Sequence, residues 1–187
     1  MTAESAAGFT MRSVTFRTAA LADADALVRL IESAYRGEAS RKGWTTEADL
    51  LGGQRTDSAE VSALLCEPKS RFLLAVRDGE IIGCAHLMRA EAHGYFGLFA
   101  VSPLVQGGGV GSALLAAAEH LVRVEWRLAE VRMQVISVRE DLIAYYLRRG
   151  YRGTGRYSPF PYGDERFGRP RRDDLRFELL IKELRAA

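Results

Sequence analysis

The sequence is short of the residues that staple or punctuate a chain, with two cysteines, five prolines and three histidines in 187 positions. Cys66 and Cys84 stand in apolar stretches with no metal-ligand spacing and no second pair. They predict two buried free thiols in preference to a single disulfide, which suits a reducing cytoplasm; no metal is expected. Charge of one sign is lacking too: 26 basic residues face 24 acidic ones, a net charge of +2. No global field calls for nucleic acid or a membrane surface, so any anion site must be local. Long hydrophobic runs are missing, since Ile81 to Met88 is broken by Gly83 and His86 and falls short of the roughly 18 residues that span a bilayer. Met1 to Thr10 is small and polar, lacks the apolar run of an export signal and reads as a disordered tail, residues 1–10.

What remains is ordinary for a globular protein, with 48% hydrophobic and 27% charged residues. Residues 11–187 form one expected domain, without internal repeat, low-complexity tract or linker. Val14 to Arg17 alternates like a strand, and Leu27, Leu30, Ile31 and Ala34 have helical spacing. A polar, glycine-punctuated stretch around Trp44, from Ala39 to Gln54, reads as a lid, and Ser58 to Cys66 as a short helix. Two apolar strands, Phe72 to Val76 and Ile81 to Met88, flank Asp78-Gly79, a pair suited to a tight hairpin turn. Further strands are expected at Tyr95 to Val101, Val131 to Val138 and Leu175 to Ile181, with helices from Val110 and over Asp141 to Arg149.

The strongest motif is Gln106-Gly107-Gly108-Gly109-Val110-Gly111, between a strand and a helix. Without a Cβ in the way, successive backbone N–H groups can turn toward a phosphate, and the helix dipole adds favourable charge. Glycine-rich turns also arise for packing reasons alone. Two phosphate loops are excluded: Gly111-Ser112 has no lysine before the hydroxyl, as a P-loop requires, and the dinucleotide fingerprint counted from Gly109 ends on Leu114.

The stretch Leu98 to Leu115 resembles motif A of the GCN5-related N-acetyltransferases, with Gln106, Gly109 and Gly111 in its core Gln/Arg-x-x-Gly-x-Gly/Ala. Asp141 to Tyr151 is similar to motif B, a helix ending Tyr-x-x-x-Gly-Phe/Tyr, with Tyr146 at the tyrosine position. The resemblance implies an α+β fold, in which a central twisted and mostly antiparallel sheet of about seven strands carries helices on both faces. It implies acetyl-CoA as co-substrate. Its pantetheine arm would lie along Phe99, Ala100 and Val101, and its pyrophosphate over Gln106, Gly107, Gly108, Gly109, Val110, Gly111 and Ser112. Where the family often has asparagine, this chain has Arg139, which could reach a phosphate instead.

The implied reaction is attack by an amine on the thioester carbonyl, through a tetrahedral intermediate that expels the thiolate. By the same resemblance Tyr146 is the general acid for the sulfur; the alternative is that it only packs. The base is not fixed by either motif. His86 could titrate near neutral pH or be a satisfied core residue, Glu47 beside Trp44 in the lid could serve or be a solvated helix-start charge, and His93 is weaker still. Tyr157 to Asp174 reads as a long semi-rigid loop, with Phe160 among aromatics that shape an acceptor pocket or a dimer contact, or else a solvated arginine-rich surface. The acceptor is a small-molecule or peptide amine, and the protein a monomer or homodimer. A non-catalytic acyl-CoA sensor on the same scaffold is the alternative function. It would keep the loop and could dispense with Tyr146. Nucleic-acid binding by Arg166 to Arg172 is disfavoured because neighbouring acids cancel the charge.

Overall fold

A computed structural model describes residues 14–184; the segment expected as a disordered tail lies outside the described residues. In chain order the elements are β1 (Thr15–Thr18), α1 (Ala24–Tyr35), α2 (Gly37–Ser40), β2 (Leu51–Gly52), α3 (Ser58–Cys66), β3 (Ser70–Arg77), β4 (Glu80–Arg89) and β5 (Gly94–Val101). They continue with α4 (Val110–His120), β6 (Glu130–Ile136), α5 (Glu140–Leu147), β7 (Arg152–Pro159), β8 (Arg169–Pro170) and β9 (Arg176–Glu183). Seven strands make one sheet in the order β1-β3-β4-β5-β6-β9-β7, and β2 pairs with β8 in a second, two-stranded one. Within the large sheet only β5 and β6 are parallel.

Both faces of the sheet centre are covered, which explains the continuous apolar runs in β3 and β4. Phe72 and Leu74 point to one side, against Leu27, Leu30 and Ile31 of α1. Leu73 and Ala75 point to the other, against Leu114, Leu115 and Ala118 of α4. The turn between β3 and β4 has Asp78 at φ 52° and Gly79 at φ 81°, the left-handed pair that Asp-Gly favours in a two-residue hairpin loop.

Two expectations are corrected here. Cys84 is buried, but Cys66 is exposed; α3 buries only Val61 fully, and its last residue faces outward. The segment expected as a loop from Tyr157 begins as strand, because β7 runs to Pro159 and pairs with β9. As an edge strand, largely exposed, β7 has no apolar alternation to betray it. Further along, Arg169–Pro170 pairs with Leu51–Gly52, so the late segment and the lid are joined by backbone.

Candidate active site

The site exists because two parallel neighbours part company. β5 and β6 pair only at Gly94↔Val131 and Tyr95↔Arg132. The ladder from β4 shifts register between Cys84 and His86, and opposite that shift Leu98 takes φ 41°, a left-handed value uncommon for a branched side chain. Such an irregularity bends a strand and re-aims its side chains. The gap leads into two cavities. The larger, about 280 Å³, reaches the glycine loop; the smaller, about 160 Å³, lies between β5, β6 and the lid. Tyr35, Phe99, Leu142 and Tyr146 line both.

On the loop side, Gly109 sits ahead of α4 at φ 80°, and Ala113 N–H is bonded to its carbonyl. The N–H groups of Val110, Gly111 and Ser112 therefore belong to the first turn, which has no intrahelical acceptor for them. Side chains at Gly107 and Gly109 would meet nothing within 4 Å, so the space over them is open. A Cβ at Gly111 would lie 3.3 Å from the Tyr145 hydroxyl and 3.5 Å from Phe99 Cζ; glycine lets those two rings close over the loop. Arg149 borders this cradle. Its guanidinium stacks 3.4 Å from the Tyr145 ring centroid and donates to Ser112 Oγ at 2.6 Å. Open amides beside a fixed guanidinium, at the start of an 11-residue helix, are a donor set that fits a pyrophosphate.

Gln106 ties the loop to the lid. Its Nε2 donates to the Val101 carbonyl at 3.0 Å, and its Oε1 accepts from the Trp44 N–H at 2.9 Å. Trp44 is half exposed and stands 5.5 Å from the Tyr145 ring, at the larger cavity. Phe99 offers its carbonyl to the Tyr35 hydroxyl at 2.9 Å, so two carbonyls on this strand already hold one donor each.

Tyr146 is 4% exposed. Edge-on rings of Tyr145 and Tyr151 flank it at 5.3 and 5.6 Å. Burial first, then the neighbouring Tyr35, pushes its phenol far above the ordinary value near 10. It therefore keeps its proton at every physiological pH and has an O–H to donate.

Glu47 overturns its expected exposure, being 5% exposed. Its Oε2 accepts from Arg36 at 2.6 Å and its Oε1 from Arg139 at 2.7 Å. Burial would raise this carboxyl, but Arg139, Arg55 and Arg36 outweigh that and hold it below the usual carboxylate range. Local sequence shows the polar lid, and the three arginines arrive from elsewhere in the chain. Arg139 also donates to Thr45 Oγ1 at 2.7 Å and lines the smaller cavity, not the one at the loop.

His86 is 5% exposed, 2.8 Å from Ser70 Oγ through Nε2 and stacked on Phe72 at 4.8 Å. It lines neither cavity, and burial lowers it to about 4. His93 lies in the turn before β5, where burial and then Arg132 lower its pKa. Phe160 is buried with Leu51, Ile136 and Leu175 and sits behind Phe167 and Phe177, at 6.4 and 5.6 Å; it is these two that line the smaller cavity. Tyr35, Arg55, Tyr145 and Arg149 were not singled out by the sequence. Only the Tyr145–Arg149 pair left a local trace, the four-residue spacing that stacks side chains on one helix face.

Comparisons with known proteins give the family and the fold. Residues 25–151 match the acetyltransferase (GNAT) family. The aminoalkylphosphonate N-acetyltransferase of Salmonella typhimurium is 34% identical over 100 residues, which cover 49% of this chain and 62% of that protein. The IAA acetyltransferase of Azospirillum brasilense is 28% identical over 73% of this chain and 83% of its own length. Among solved structures, the ribosomal-protein-S18-alanine N-acetyltransferase of Escherichia coli shares the fold, with a TM-score of 0.67 at 15% identity, covering 94% of this chain and 96% of that one. The chain belongs to the GNAT acetyltransferase family, a class of acyltransferases.

Proposed function

We propose that this protein is an N-acetyltransferase that draws acetyl from acetyl-CoA in the larger cavity and transfers it to an amine in the smaller one. The observation carrying this reading is that Tyr146, buried and protonated, belongs to the walls of both cavities. Bound acetyl-CoA supplies an activated thioester carbonyl. The amides of Gly107 to Ser112, with Arg149, would hold its pyrophosphate at the helix N-terminus, and the backbone of Phe99 to Val101 would receive the pantetheine arm. Val110 is buried and contributes its N–H alone.

Tyr146 serves as general acid, donating from its hydroxyl toward the departing sulfur. A phenol at that junction stabilises developing negative charge, and the aromatic walls keep water from competing with the acceptor. Glu47 is not the base on this reading, since both its oxygens are engaged by guanidiniums; it holds Arg139 and Arg36 in place. His86 belongs to the core. The acceptor proton leaves through water at the cavity mouth. Acetyltransferase relatives whose printed names specify aminoalkylphosphonates and IAA support a small-molecule acceptor, and two free cysteines suit a cytoplasmic setting.

The test is thiol release from acetyl-CoA across a panel of small amines and short peptides. We expect release that depends on one or more amines. Binding of acetyl-CoA without amine-dependent release would instead favour a non-catalytic acyl-CoA sensor.

A further inference from the structure

The smaller cavity has more positive charge than its own carboxylate can neutralise. Three guanidiniums, Arg36, Arg55 and Arg139, act on Glu47, yet each oxygen of Glu47 already accepts from one of the other two, Arg36 and Arg139. Arg55 has no ion-pair partner among the described residues. It lines the cavity and lies 5.4 Å from the Tyr35 ring centroid. An arginine held on an aromatic face at the wall of a cavity is preorganised to take an oxyanion in a bidentate bond.

Resting on the reading of this cavity as the acceptor site, we infer that the acceptor is a small amino acid or aminophosphonate whose oxyanion is bound by Arg55. Tyr35 sets the length. Its ring lies under Arg55, while its hydroxyl reaches the Phe99 carbonyl at 2.9 Å, on the wall shared with the donor cavity. The acceptor's anion and amine are therefore a few bonds apart, about the span of one phenol. A cavity of about 160 Å³, below the roughly 300–1,000 Å³ of drug-sized sites, accords with such a ligand. Phe167 and Phe177, which line the same space, would pack its apolar part.

The experiment is calorimetric titration of the full chain saturated with coenzyme A, using β-alanine against β-alaninamide, phenylalanine against phenylalaninamide, and aminomethylphosphonate against methylamine. At least one anionic member should bind ten times or more tightly than its partner, and R55M should reduce that ratio to within about twofold. R55K, which keeps the charge but loses the planar fork, should give an intermediate ratio. Equal binding within every pair, no binding by any anion up to millimolar concentration, or an unchanged ratio in R55M overturns the inference. Failure of coenzyme A itself to bind would instead strike the underlying reading of the site, and the two failures are separately visible.

Discussion

At the scale of single residues, two buried groups make opposite use of burial. Tyr146 is held protonated at the junction of the cavities, so Y146F should lower kcat by about a hundredfold or more, the usual range for losing a positioned acid. Acetyl-CoA affinity should change little, because only a hydroxyl is removed. Steady-state kinetics alongside a binding titration would check this, and unchanged kcat would leave Tyr146 a packing residue. His86 is held neutral, with a pKa near 4 against an ordinary 6.5. Above pH 6.5 neither folded nor unfolded chain holds this proton, and the stability is fully present. Below it the unfolded state gains a proton that the folded state refuses, so stability falls between pH 6.5 and 4, by about 2 kcal/mol at pH 5. Urea unfolding at pH 7 and pH 5 should show that loss in the natural protein and a smaller one in H86Q; equal losses would reject the assignment.

Among the elements, the glycine loop, the lid and β5 form one unit through a single side chain. Gln106 bonds Val101 on the strand and Trp44 in the lid, so it positions three segments at once. Q106A should raise the dissociation constant for acetyl-CoA roughly tenfold, the weight of one or two lost hydrogen bonds. It should also speed hydrogen exchange at the Trp44 amide, because that N–H loses its acceptor. Exchange unchanged at Trp44 would show that the lid is anchored by other contacts. The motif containing Gln106 was legible from sequence because its glycines, the strand before and the helix after are all local features. Its tie to Trp44, 62 positions away, was not, since nothing in local spacing marks a partner brought in by the fold.

For the whole molecule, ligand binding and folding are linked. A hundredfold excess of acetyl-CoA over its dissociation constant adds about 2.7 kcal/mol to the folded state, which for a chain of 187 residues raises Tm by about 5–11 °C. Differential scanning fluorimetry measures this directly, and no shift would refute donor binding. The sequence by itself determined the strand and helix order of the sheet centre, because hydrophobic period and turn chemistry act over neighbouring residues: the Asp78-Gly79 hairpin, the face of α1 and the start of α4 are all local patterns. It also pointed to the loop and to Tyr146 through the two motifs. Only the tertiary structure decided the rest. Strand β7 is held by its partner β9 and not by any pattern of its own. Glu47 is buried because arginines 11 and 92 positions away neutralise it, and Arg55 lines the smaller cavity over the ring of Tyr35 from α1. Charge compensation and cavity shape are sums over residues distant in the chain, and they exist only once the chain has folded.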